Sequence, residues 1–503
     1  MRAQQNTVFY DQSTGTASFS AAEYEVISEE NIKEVVESHV IGIYPDYTFQ
    51  TMEGFGCAMT ETSCYLLSRM TPEFRTAALK TWFGPEGMDA RFVRMHIDSC
   101  DYSLEEYQAV EDPIADPELE TFSIKRDLQW NIPVMKEAME LAGHPISVLL
   151  SPWSPPYQWK TPPEITQNDA AVYGGMGMKV DLTKPGRCFG GRLKPEYYGS
   201  WAKYLVKFIE AYLAEGINVT MLSIQNEAAA ATNWDSCLWT GEQEKEFLKN
   251  HLYPQMKAAG LTDKVQIFIW DHNKERAIEH IDAFMSDPEA AAKISGFAYH
   301  WYSGDHFDAL SLLHGRYPDK VLMHSESCPL HMPGKAFAFE ITEEMMAKMD
   351  ESHRQMYASR DPKAVDFQDA VDYAHDIIGD LNHGMQRWID WNLIVDRKGG
   401  PRHVPGGFGS PVVYEEDGTF SKTIAYEYLN LIAKTVRAGA VVLGKSIYGK
   451  DAEAAAVRNT DGSIGVLLLN QTAEEIRVNI RFCGQIIRDV VLPAKTLSGL
   501  LIK

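Results

Sequence analysis

From about residue 51 the chain alternates short apolar runs with stretches whose apolar positions recur every three or four residues. The runs fall at 52–59, 91–97, 146–150, 219–224, 265–270, 295–301, 321–323 and 386–391. Short apolar runs bounded by turn residues predict buried strands, and the longer period predicts helices. Trp201, Leu205, Phe208 and Tyr212 share one helical face, and Gly216 supplies a stop. Thr240 with Gln243 forms a capping-box pattern ahead of Phe247, Leu248 and Leu252, and Gly260 closes that segment. Ser123 opens another expected helix that ends at Gly143. Eight strands alternating with helices over about 340 residues predict a (β/α)8 barrel. A doubly wound sheet would carry a glycine-rich phosphate loop after its first strand, and this sequence has none there.

The two ends of the chain follow another rhythm. Residues 7–10 and 39–44 read as strands separated by turn residues and an acidic segment. After residue 409 a helical piece at 424–436 gives way to short strands at 454–458, 464–470, 476–482, 486–492 and 497–502, with Asp461-Gly462 as a hairpin signal. The expected organisation is N-terminal strands at 1–48, a catalytic barrel at 49–408, and an all-β sandwich side domain at 409–503 that the N-terminal strands complete. Insertions at 152–194 and 329–364 follow strands and are expected to wall or cover a cleft.

Composition narrows the partners. The 503 residues carry a formal charge of −23, which excludes a phosphate backbone and disfavours an anionic membrane surface. No run reaches the roughly 18 apolar residues of a membrane span. Seven cysteines without a close C-x-x-C pair read as free thiols rather than a disulfide frame or a zinc site. The start, MRAQQNTVFYDQ, lacks the apolar core of a secretion signal, so the expected compartment is cytoplasmic. His300, His306, His314 and His324 lack metal-ligand spacing, and no metal or cofactor is expected.

The candidate chemistry stands where the apolar runs end. The run Met221, Leu222, Ile224 empties into Gln225, Asn226 and Glu227, and KVLMHSE ends in Glu326. In a parallel barrel all such ends face one mouth, so they form one set. The set includes Glu53 from the first strand, Arg94 and Asp101 from the second, Trp153 from the third and Asp271 from the fifth. The sixth adds His300 and Tyr302, and the eighth adds Trp391. Aromatics beside carboxylates and amides suit a sugar, whose C–H faces stack on rings while its hydroxyls need directional partners. Two carboxylates on one face suit acid/base work on a glycosidic bond.

Seven motifs in order, MEGFGCAMTET, RFVRMHIDSCDYS, SPWSPPYQWKT, SIQNE, FAYHWY, VLMHSESC and WIDWN, resemble glycoside hydrolase family 30, and its glucosylceramidase-like branch in particular. The resemblance implies a retaining, exo-acting β-glycosidase on a barrel with a β side domain, acting on a β-glucoside or glucosyl lipid. It carries the acid/base onto Glu227 and the nucleophile onto Glu326. Asn226 would hold the sugar 2-hydroxyl, Asp101, Trp153 and Trp391 would contact the glycone, and Arg94, His300 and Tyr302 would line or order the site. Repulsion and burial are expected to raise the pKa of Glu227. The chain differs from the family pattern at Ala228, where Pro usually follows the acid/base, and in the segment Pro405-Gly406-Gly407-Phe408-Gly409. β-Xylosidase, β-fucosidase or β-1,6-glucanase specificity would use the same machinery, and a non-catalytic sugar-binding barrel is the reading of another class.

Overall fold

A computed structural model describes residues 1–32, 39–175, 178, 180–331, 361–404, 407–449 and 452–503. Eight parallel strands close into a barrel: Gly54–Ala58, Phe92–Ile97, Ser147–Pro152, Val219–Ser223, Gln266–Asn273, Gly296–His300, Val321–Glu326 and Met385–Asp390. The eighth strand pairs with the first, Arg387 opposite Gly54 and Asp390 opposite Cys57. Strands buried on both faces tolerate few polar residues, which is why each was visible as an apolar run.

Strands two to eight each give one residue to a layer inside the barrel: Phe92, Leu149, Met221, Phe268, Ala298, Met323 and Ile389. The first strand contributes a glycine instead. A Cβ on Gly56 would lie 2.3 Å from the Phe92 carbonyl oxygen, so only hydrogen fits. Arg387 closes the lower end, its guanidinium 5.4 Å from the Phe92 ring and 5.5 Å from the Phe268 ring. It pairs there with Glu53 at 2.9 Å. Glu53 precedes the first strand and therefore lies at the N-terminal end of the barrel, not at the mouth where the sequence pattern placed it. The strand is shorter than the run 52–59 because Met52 ends a separate strand, Val40–Met52, and Gly54 turns the chain with φ 140°.

The helices form as their signals require. Tyr198–Ala214 buries Trp201, Leu205, Phe208 and Tyr212 and stops before Gly216, whose φ is 82°. Each large side chain so buried stabilises the fold by about 1.5–3 kcal/mol. Thr240 and Gln243 form the reciprocal cap of Gly241–Phe247. The helix ending at Gly143 is shorter than expected, Asn131–Ala142, rather than beginning at Ser123. Pro133 accounts for this, since a proline is tolerated in the first turn but not further inside a helix.

The chain ends build a ten-stranded sheet. Arg2–Asp11 pairs with both Thr16–Glu25 and Thr496–Ile502, joining the N-terminus to the C-terminal strands. The sheet curls so that Gln485–Leu492 approaches Thr16–Glu25. Ile41, Ile43, Ala456, Leu468, Ile480 and Leu500 meet in the core this encloses. Alternate residues Ala455, Val457, Leu467 and Leu469 face the other way, into the main core. The helix Ile424–Thr435, capped by Thr423, fills the space between sheet and barrel. Tyr426 donates from its hydroxyl to the Thr81 carbonyl at 2.9 Å, and Asn459 of the sheet donates to the Thr435 carbonyl at 3.2 Å. Among the described residues no helix is long and apolar enough to cross a membrane.

Of the insertions, 152–194 folds back over the barrel mouth. Buried Lys160 holds it down through Ser154 at 2.9 Å and the Ser236 carbonyl at 2.6 Å. Most of the expected second insertion, residues 332–360, lies outside the described residues.

Candidate active site

Above its apolar layer the barrel interior turns polar. Arg94, Ser151, Ser223, Asp271, His300 and Ser325 are fully or almost fully buried at successive strand ends. Buried charges persist only when paired and hydrogen-bonded, and here Arg94 and Asp271 supply that pairing. Asp271 accepts from Arg94 Nη2 at 2.9 Å, from Ser223 and Ser325 at 2.6 Å each, and from His300 Nε2 at 3.1 Å. Burial works to raise its pKa, but the Arg94 charge prevails and holds the carboxylate well below the usual range. Asp271 is thus the fixed anion on which the cationic groups of the mouth are oriented.

Arg94 spends its remaining donors on the expected site residues. It bonds Glu326 Oε2 and donates to Asn226 Oδ1 at 2.7 Å and to Ser151 Oγ at 3.1 Å. Its guanidinium lies 4.8 Å from the Trp153 ring and 5.5 Å from the Trp391 ring. Those two indoles stack at 5.0 Å. Glu326 also accepts from the Tyr302 hydroxyl at 3.0 Å. Burial drives the Tyr302 pKa well above 10, so the phenol keeps the proton it donates.

Glu227 and Glu326 approach opposite nitrogens of one ring. His300 Nδ1 lies 3.9 Å from Glu227 Oε1, and Nε2 lies 3.8 Å from Glu326 Oε2. Burial disfavours a charged His300, yet Glu326 and Asp271 outweigh it and raise the pKa. Glu227 has two further neighbours: His272 Nδ1 at 3.5 Å and Trp234 Nε1, which donates at 3.3 Å. Burial pushes the Glu227 carboxyl up, but His272, His300 and Trp234 together bring it below its ordinary value. This reverses the expected upward shift. The imidazoles, invisible as neighbours in the sequence, favour the anion more than burial disfavours it.

Asp101 completes the set. It is buried, its Oδ1 has no hydrogen-bond partner, and its Oδ2 lies 3.6 Å from Arg402. Burial raises its pKa to about 7, against the pull of Arg402, with Glu326 and Glu227 adding to the rise. Tyr102 beside it joins Trp391 edge-on at 5.9 Å and accepts from the Phe408 N–H at 2.8 Å. The structure therefore gathers Arg94, Asp101, Trp153, Asn226, Glu227, His300, Tyr302, Glu326 and Trp391 at one barrel end.

Backbone strain concentrates there. Asp98, Glu227, Trp270, Asp271 and Asn392 all have positive φ between 45° and 76° at strand ends. Such conformations cost energy in residues other than glycine, and they re-aim side chains at functional sites. Glu227 is held by its own N–H on the Asp271 carbonyl at 2.7 Å.

The geometry gives a part to several residues that the sequence left without a role. Asp271 and His272 stood in the strand-end set with no function attached. Trp234, Arg402 and Phe408 come from loops, where no periodicity marks them. Among the described residues three groups of ligand-type side chains are close enough to hold a cation, one of them Glu227, His272 and His300.

Comparison with known proteins agrees with the architecture. The chain is 28% identical over 454 residues to the lysosomal acid glucosylceramidase of Mus musculus, covering 88% of this chain and 79% of that protein. It is 23% identical over 446 residues to an endo-1,6-β-D-glucanase of Neurospora crassa, covering 86% and 81%. Among solved structures, SrfJ from Salmonella typhimurium superposes over the whole of both chains with a TM-score of 0.82 at 27% identity. The endo-β1,6-glucanase BT3312 does so with 0.77 at 25%, covering 99% of this chain and 98% of that one. The glycosyl hydrolase family 30 TIM-barrel domain matches residues 52–336 and 342–431, and with that match spanning most of the chain, this protein is a glycoside hydrolase and belongs to family 30.

Proposed function

We propose that the protein is a retaining, exo-acting β-glycosidase that hydrolyses a β-glucoside or glucosyl lipid through a covalent glycosyl-enzyme. The observation that carries this reading is the unequal setting of the two glutamates around His300. Glu326 is gripped by Arg94 and Tyr302, which fix its carboxyl group and aim it as a nucleophile. Glu227 faces His272 Nδ1 and His300 Nδ1, buried nitrogens without hydrogen-bond partners. A carboxyl group standing beside such nitrogens, with Trp234 donating to its other oxygen, suits a general acid and then a base.

In the proposed cycle Glu326 attacks the anomeric carbon while Glu227 protonates the departing oxygen. Glu227 then takes a proton from water as that water releases the sugar from Glu326. On this reading Asn226, tied to Arg94, holds the 2-hydroxyl. The unpartnered Asp101 Oδ1 would take a hydroxyl at the far side of the ring, with Trp153 and Trp391 as the aromatic contacts of the glycone. Support for exo action comes from the wall that Tyr102, Arg402 and Phe408 build beside Asp101. Arg402 stacks over Tyr102 at 4.8 Å, and Phe408 is pinned to the Tyr102 hydroxyl. A second reading, β-1,6-glucanase activity, is favoured by the named relatives that carry it. Seven free cysteines support a reducing, cytoplasmic setting.

Aryl β-glycosides with proton NMR of the first-formed anomer test the reading. Glu326→Gln is expected to lower kcat by on the order of 10³-fold or more. Glu227→Ala is expected to lose about 10²–10⁴-fold on poor leaving groups, with azide restoring turnover on good ones as a β-azide. Full activity in either variant, or an inverted first product, overturns it.

A further inference from the structure

We infer that the ten-stranded sheet carries a second carbohydrate-binding site, a trough for a neutral saccharide chain. Val40–Met52 runs between Ala440–Tyr448 and Ile476–Phe482, which sets Gly42 directly between Ser446 and Arg481. Ile41 and Ile43 point into the core of the sheet, so Gly42 and Tyr44 face outward. The phenol end of Tyr44 lies over Gly42. A Cβ there would come within 3.0 Å of the Tyr44 and Ser446 hydroxyl oxygens, which bond each other at 2.8 Å.

Among the described residues the trough, about 430 Å³, is lined by Glu29, Gly42, Tyr44, Ser446, Tyr448 and Arg481. Tyr44 is 45% exposed and Tyr448 67%, and Tyr47, 69% exposed, stands edge-on to Tyr44 at 6.3 Å. Exposed rings beside a floor that mixes Ser446 and the Glu29–Arg481 pair with apolar Val40, Ile43 and Phe482 suit the two aspects of a sugar, flat C–H faces and a rim of hydroxyls.

Charge selects a neutral occupant. Arg481 is already matched by Glu29 at 2.8 Å, and a molecule of net charge −23 repels anionic polymers and anionic lipid surfaces. A membrane surface would also need cations around the rings, and the trough offers a neutralised pair instead. The binding itself is independent of the catalytic reading. The choice of β-linked chains rests on that reading.

The test is retention of the full-length Glu326→Gln protein on β-1,3-, β-1,4- and β-1,6-glucan and on β-1,4-xylan. At least one polymer should retain it, and adding Tyr44→Ala with Tyr448→Ala should weaken retention about tenfold. Tyr44→Phe with Tyr448→Phe should keep it, because the stacking faces remain. With Glu326 intact, the double alanine variant should keep kcat/KM on an aryl β-glycoside. No retention on any polymer, equal retention by the double alanine variant, or tyrosine-dependent sedimentation with phosphatidylcholine vesicles in place of polymer overturns the site. Failure of the catalytic reading would show separately, as absent hydrolysis, since retention needs no turnover.

Discussion

Glu227 stands where two imidazoles and an indole meet, and its protonation belongs to that cluster rather than to the residue alone. In the proposed role it must carry a proton when substrate arrives, so kcat/KM falls as pH rises through its pKa. His272 holds that pKa down. Replacing His272 with Gln removes a lowering influence, the pKa rises, and the acid form persists to higher pH. The basic limb of the kcat/KM profile should therefore move upward in His272→Gln, while the protein stays folded. An unmoved limb would show that His272 does not govern this proton. Arg94 poses a complementary case. Asp271, Glu326, Asn226 and Ser151 take four of its five N–H donors, and a lysine cannot reproduce that fork.

At the scale of elements, the first strand is the barrel's tightest. Gly56→Ala would drive a methyl against the Phe92 carbonyl, and separation of the first two strands should cost about 1–3 kcal/mol or more, read from the denaturation midpoint. Strands like this one were legible in the sequence because burial on both faces leaves an unbroken apolar run. Their limits were less legible where two runs fuse, as Val40–Met52 does with Gly54–Ala58 across Glu53. The strand Thr16–Glu25 escaped notice because it is an edge strand with mostly exposed small and polar residues, and no alternation marks it. The site followed the same logic. Glu227 and Glu326 were readable because polar residues closing an apolar strand are conspicuous. Trp234 and Phe408 were not, since only the folded loops bring them to the mouth. Even Glu53 obeys the rule in reverse: a carboxylate beside an apolar run marks a strand end without saying which end.

For the whole molecule, buried carboxyls set how stability depends on pH. Burial raises Asp98 to about 6, Asp127 and Asp101 to about 7, and Asp376 to about 8. Each keeps a proton in the folded state that the unfolded chain has lost above about pH 4. Folding therefore binds protons through this window, and stability falls as pH rises. His375, raised to about 9 by Glu453 and Asp305 against burial, acts in the same direction, because its gain is lost as pH rises toward that value. Asp235 and Asp271 are held low, and their contribution is constant above pH 4. Tm should decline steadily from pH 5 to pH 8, and a flat or rising Tm would contradict the assignment.

The helix Ile424–Thr435 has its own consequence. Because it is wedged against both the barrel and the sheet, bonded to Thr81 on one side and Asn459 on the other, neither body can swing on a leash. If the proposed sheet site holds a polymer, that polymer and a sugar in the proposed active site stand at a fixed separation, like two marks on a ruler. The chain end that reaches the carboxylates would then be chosen by a distance built in when the protein folds.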